Sequence, residues 1–167
     1  MTVIAWIVEG TWPACVDAAS THAPEGADIV LLHVTGHDVP GAAHGAYAGL
    51  FGRGRPDRDP GTRLQQLAAA SAQHLLQEAA ERLGRPCTRL ERSGRIEREV
   101  VAAADGADLL ILTRDGDRTH LGPRSLSPAT RFVVDHAPCP VLLVWPEPPP
   151  AIATIPPAPP HSPRRPD

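Results

Sequence analysis

The stretch Asp108–Trp145 reads DLLILTRDGDRTHLGPRSLSPATRFVVDHAPCPVLLVW. It opens on one apolar run, DLLILT (Asp108–Thr113), and closes on another, VLLVW (Val141–Trp145). Neither run alternates with polar residues, which is the pattern of strands buried on both faces of a parallel sheet. Between them PATRFVVDH (Pro128–His136) reads as a helix, the crossover that a parallel pair of strands requires. The loop from Thr113 to Ser127 therefore lies at the end of a buried strand, just before a helix. α/β proteins often bind a phosphate in that position.

Working outward, the same unit recurs. TVIAWIV (Thr2–Val8) is an almost unbroken apolar run, followed by Glu9, Gly10 and Thr11. Thr11 suits an N-cap and Pro13 a first helical turn, so a helix is expected to about Ala23, stopping before Pro24. ADIVLLHV (Ala27–Val34) is the second buried strand. A glycine-rich segment, Thr35–Pro60, follows and is too rich in glycine for a firm helix. A helix then opens at Thr62, with Leu64, Leu67, Ala68, Ser71, Leu75, Ala79 and Leu83 on one face, and stops at Gly84 before Pro86. CTRLER (Cys87–Arg92) alternates like an edge strand, and a short helix is expected over Ile96–Asp105. The order β-α-β-loop-α-β-α-β-α-β implies an α/β fold, a single five-stranded parallel sheet with helices on both faces. Ligands of such sheets sit at the carboxyl ends of the strands, here Val8–Thr11, Val34–His37 and Thr113–Asp117.

The chain has 167 residues and 42% apolar content, which suits one domain with an appendage. Residues 1–146 form the expected domain. Residues 147–167 form a Pro-rich tail, since half of the 20 prolines follow Trp145. Such a tail is expected to be extended, disordered and solvated, with an unknown protein partner as the sharper reading. A net charge of −3 offers no global attraction to nucleic acid or an anionic membrane. All 16 basic residues are Arg, which excludes a Walker A lysine and any Schiff-base lysine, and the Arg and Ala usage suggests a high-GC bacterial genome. The three cysteines form no CxxC pair. MTVIAWIVEG lacks a basic leader region, and no apolar run reaches membrane-spanning length, so a cytoplasmic protein is expected.

The ordered features IVEGT, LLHV, GADLLILT and HAPCPVLLV, over about residues 2–146, resemble the universal stress protein (UspA-like) family. The last is the most specific. The resemblance implies a Rossmann-like, adenine nucleotide alpha hydrolase-like fold, usually dimeric, in which many members bind ATP and others do not. The binding members carry a loop Gly-x2-Gly-x9-Gly-Ser/Thr. Ungapped counting from HAPCP puts its glycines at Arg114, Asp117 and Ser127 and its hydroxyl at Pro128, and none matches. Gly116 restores one glycine by a one-residue slip. The adenine-contacting acid corresponds to Glu9, and the valine closing the second strand matches as Val34.

These losses have physical weight. Cβ atoms at Arg114 and Ser127 crowd the phosphates, Pro128 removes a donor, and Asp115 and Asp117 bring like charge. Arg118, Arg124 and Arg131 offer compensation, because Arg binds phosphate well. Glu9, Val34, Arg114, Gly116, Asp117 and Ser127 are thus the positions of a degenerate ATP site, and ATP is the one cofactor to weigh. Other candidates are weaker. His33, His37 and His44 lack metal-ligand spacing. Asp117 and His120 near Ser125 and Ser127 come without a nucleophile elbow. Cys139 reads as a core thiol. The expectation is a non-catalytic stress-response module, a homodimer joined through its last strand, Val141–Trp145. The alternative is an adenine-nucleotide-binding sensor with at most slow ATP hydrolysis.

Overall fold

The computed structural model describes residues 1–36 and 60–157, the side chains of 60–65 excepted. Five parallel strands form one sheet: β1 (Thr2–Trp6), β2 (Asp28–Gly36), β3 (Thr88–Gly94), β4 (Leu109–Thr113) and β5 (Val141–Val144), in the order β3-β2-β1-β4-β5. The helices are α1 (Trp12–His22), α2 (Pro60–Leu83), α3 (Ile96–Ala103) and α4 (Pro128–His136). The expected α/β class, all five strands and four helices are present, with ends displaced by a few residues. The glycine-rich expectation for Thr35–Pro60 lies almost wholly outside the described residues.

β1 is central, in register with β2 (Val3 opposite Ile29) and with β4 (Val3 opposite Leu109). Because side chains alternate across a strand, its unbroken apolar run feeds two separate cores. Val3, Ala5 and Ile7 pack with Ile29, Leu31 and Ile111 beneath α1 and α2. Ile4 and Trp6 pack with Leu32, Val34, Leu110 and Leu112 beneath α3 and α4. Val3, Ala5 and Ile7 are 0% exposed, which is why polar alternation is missing from the sequence here.

Two expectations are corrected in detail. The buried stripe of α2 is Ala72, Leu76, Ala79 and Leu83, while Leu67 is 63% exposed and Ser71 is exposed. Leu64 lies outside the described side chains. The register was ambiguous because leucines and alanines recur at two competing helical offsets along LQQLAAASAQHLLQEAAERL. Thr11 does occupy the N-cap of α1 but caps nothing with its side chain. Its hydroxyl is committed elsewhere, as described below. Gly84 ends α2 with φ +65°, a conformation that costs glycine little.

Past Trp145 the chain is described as far as Pro157, and over those residues it differs from a featureless solvated tail. Ile152–Thr154 makes one 3-10 turn, and Glu147 and Thr154 contact the loop after β4.

Candidate functional site

Strand order reverses between β1 and β4, so the crevice for a ligand opens where these two strands end. Its floor is closed by a pair of hydroxyls. Thr113 Oγ1 donates to Thr11 Oγ1 at 2.7 Å, and Thr11 Oγ1 donates in turn to the Val8 carbonyl. Both threonines are buried, 2% and 4% exposed. Cys15 lies on the α1 face of the same core, its thiol 3.4 Å from the Ile111 carbonyl; burial pushes its pKa up to about 12. Glu9 is exposed on the turn after β1. Val34, at 5% exposure, is a core residue packed toward α3.

The loop after β4 holds the remaining candidates, and its donors are turned inward. The Gly116 N–H donates to the Ser125 carbonyl and the Asp117 N–H to the Arg124 carbonyl, both at 2.9 Å. These two bonds fasten the start of the loop to its end. Gly116 is needed for this closure. A Cβ there would sit 2.4 Å from the Arg124 carbonyl oxygen and 2.9 Å from backbone carbons of Ser125 and Leu126.

Asp115 completes the loop. Its carboxylate accepts from the Ser127 N–H at 2.9 Å, the Ser127 hydroxyl at 2.7 Å and the Thr130 hydroxyl at 2.9 Å. Ser127 is the N-cap of α4, and its Oγ also accepts from the Thr130 N–H at 3.2 Å. Pro128 occupies the first turn, where its missing N–H costs the helix nothing. A negative charge at a helix N-terminus is favourable, and unpaired amides there form a ready anion site. In this chain the anion is part of the loop.

The arginines are similarly engaged. Arg114 lies with its guanidinium 4.6 Å from the Trp145 ring centroid and donates to the Ser125 hydroxyl, while its Nε is buried without a partner among the described residues. Desolvation lowers its pKa. Arg131 donates to the Pro123 carbonyl at 2.7 Å, and Arg118 pairs with Glu147 at 3.2 Å. Asp117 accepts from the hydroxyl and amide of Thr119, which hold its carboxyl below its ordinary value.

The structure therefore brings Arg114, Gly116, Asp117 and Ser127 together in one loop, with Glu9 and Val34 on neighbouring strand ends. Asp115, Thr130 and Trp145 are members that spacing could not pick out, since their partners lie 12 to 31 residues away. Asp115 reads from sequence as a repulsive charge, whereas its geometry makes it the acceptor that holds Ser127, the N-cap of α4, and Thr130. The other candidates have separate engagements. His33 Nδ1 meets the Ile7 carbonyl at 2.9 Å; His37 and His44 lie outside the described residues. The Ser125 hydroxyl donates to the Gly122 carbonyl, and His120 Nδ1 meets Thr119 rather than either serine. Cys139 packs into the core beneath α4, and burial is the main reason its pKa is raised. Among the described residues no group of three or more His, Cys, Asp or Glu is placed to hold a metal, and no helix is long and apolar enough to cross a membrane.

Residues 9–144 match the family model described as "Universal stress protein family". None of the curated proteins matches the chain in sequence. Three solved structures show the likeness of fold. Hypothetical protein MJ0577 is 17% identical, over 86% of this chain and 94% of the other, with a TM-score of 0.58. Universal stress protein UspA from Lactobacillus plantarum is 19% identical, over 86% and 97%, with a TM-score of 0.57. A universal stress protein solved in complex with cAMP is 17% identical, over 88% and 98%, with a TM-score of 0.59.

Proposed function

The chain belongs to the universal stress protein family, and from that premise we propose that it is a non-catalytic stress-response module, a homodimer whose nucleotide site is filled by its own loop. One observation carries the reading: the Asp115 carboxylate occupies the N-terminus of α4, accepting the amide and hydroxyl that a phosphate would need. The amides of Gly116 and Asp117 are spent on carbonyls of the same loop. A triphosphate arriving there has to displace a carboxylate held by three hydrogen bonds and repels it meanwhile.

The second reading, an adenine-nucleotide sensor, rests on a different feature. A one-residue slip of the family loop puts Gly116 on a glycine position and Ser127 on the hydroxyl position, and Ser127 does cap α4. One fold neighbour was also solved with cAMP. The two readings part on ATP. At roughly 100-fold excess over its Kd a ligand stabilises the native state by about 2.7 kcal/mol. Millimolar ATP, with or without magnesium, is expected to leave the melting temperature unchanged; a rise of several degrees overturns the first reading and establishes the second.

The dimer proposal rests on β5. It is a sheet edge of four apolar residues, all half-buried. The Pro140 and Val144 carbonyls accept from Leu110 in β4 and from Arg114 just past it, so by the alternation of a parallel ladder Val141 and Leu143 turn their backbone groups to the open edge. An open apolar edge invites pairing, and a two-fold axis closes both copies at once. Leu143→Pro removes an outward donor while sparing the bonds to β4. Light scattering at tens of micromolar should give a dimer for the unaltered chain and a monomer for the variant; a monomer for both removes the dimer from the proposal.

A further inference from the structure

β5 is parallel to β4, so the chain leaves the sheet at the pole where the β4–α4 loop sits. The segment that follows does not move away. The Trp145 ring lies on Arg114, Glu147 pairs with Arg118, and the Thr154 hydroxyl accepts from the Leu121 N–H at 3.1 Å. That hydroxyl also donates to the Ala151 carbonyl at 2.7 Å, which fixes it within the strap's single 3-10 turn. Loop and strap together line an open pocket of about 310 Å³, with Leu121, Pro123 and Arg124 from the loop and Thr154 and Pro156 from the strap. Pro146, Pro148, Pro149 and Pro150 restrict the unfolded chain, so ordering this segment costs less conformational entropy than an ordinary tail of the same length.

We propose that Trp145–Pro157 is a latch that holds the β4–α4 loop in its self-filled form. All three contacts fall on the loop or on the residue that begins it. None falls on α4 or on the strands. Gly116 and Asp117, whose amides close the loop, lie between two clamped residues, Arg114 and Arg118. Releasing the latch would therefore loosen the closure and free Asp115 from the end of α4. The strap is thus a regulatory element acting on the loop. This inference rests on the reading of the loop as self-filled, and it gives that loop a second, more open state.

The test uses the full chain with Thr154→Val and Glu147→Gln, read by amide hydrogen exchange. Leu121 is not the informative amide, because the strap accepts from it directly. Gly116 and Asp117 are informative, because the strap's ring contact, ion pair and hydrogen bond to the loop fall on Arg114, Arg118 and Leu121 instead. The latch predicts exchange on the order of tenfold faster at both, the worth of about one or two net hydrogen bonds. Leu110 and Ile111 in β4 should be unchanged, and their rates report whether the variant is folded. Should the double variant unfold, Thr154→Val alone carries the same prediction at a smaller factor. Ile152→Ser, at a side chain 80% exposed, should leave every rate as it was. Unaltered exchange at Gly116 and Asp117, or acceleration confined to Leu121, overturns the latch. ATP binding to the unaltered chain would instead overturn the self-filled reading, and the exchange result would stand apart from it.

Discussion

Asp115→Ala is the most direct perturbation of the loop. Three accepted bonds vanish together. Thr130 is 0% exposed, so its hydroxyl loses its acceptor without gaining water, at about 1–3 kcal/mol. The amide and hydroxyl of Ser127 are half-buried and regain solvent, so their loss is smaller, about 0.5–1.5 kcal/mol. Removing the charge from the N-terminus of α4 adds about 0.3–1 kcal/mol. The total is about 2–5 kcal/mol, which for a chain of this size is a fall of about 5–15 °C in melting temperature. Urea denaturation with an unchanged m-value reads the free energy, and calorimetry reads the temperature. The same variant has a second signature. With the carboxylate gone, the end of α4 is an open anion site, so tens of millimolar phosphate should restore part of the lost stability in Asp115→Ala and add little to the parent chain. A loss under about 1 kcal/mol, or equal phosphate stabilisation of both proteins, refutes the idea that Asp115 is the loop's own anion.

Gly116→Ala forces a methyl against backbone of residues 124–126, which cannot turn aside as a side chain would; a loss of about 2–4 kcal/mol in urea is expected. Cys15, with a pKa near 12, carries almost no thiolate at pH 8. It should resist a disulfide reagent until the protein unfolds, while Cys87 and Cys139, raised mainly by burial but only half-buried, should label in the native state. Arg82 holds the Asp17 carboxyl below its ordinary value of 3.8 through a paired contact at 2.7 Å joining α2 to α1. A depressed folded-state value means that this contribution is present above pH 4 and is lost as pH falls through the lower value. An acid titration of stability for Asp17→Asn should converge with that of the parent below that point. Continued divergence there would show the pair is not the source.

Much of this arrangement is legible in the sequence because burial on two faces leaves an unmistakable apolar run. TVIAWIV and DLLILT are such runs, and both are core strands. α2 shows the limit. Its pattern admits two stripes, and only the sheet beneath it selects Leu76 over Leu67. The loop shows a deeper limit. Its missing glycines are visible in one line of text, but what replaced them is not. The carbonyls of Arg124 and Ser125 return to meet the amides of Gly116 and Asp117 through a turn that depends on Gly122 at φ +142° and the 3-10 turn Pro123–Ser125. No periodicity announces a backbone meeting itself. Trp145 likewise reads as the last residue of a strand, whereas in the fold it is the first residue of the strap.

The parallel sheet also places the two ends of the described chain at opposite poles. Met1 accepts from the Asp28 N–H, and the Thr2 N–H donates to Asp108, both at the starts of strands. Each strand then runs about 3.3 Å per residue toward the loop, so β1 alone sets Met1 roughly 17 Å from that surface. A bead or sensor chip joined through Met1 presents the loop outward to whatever flows past. The same support joined next to Pro157 sits at the loop's own pole, beside the strap. Capture experiments run in the two orientations therefore differ in how openly the loop meets what flows past.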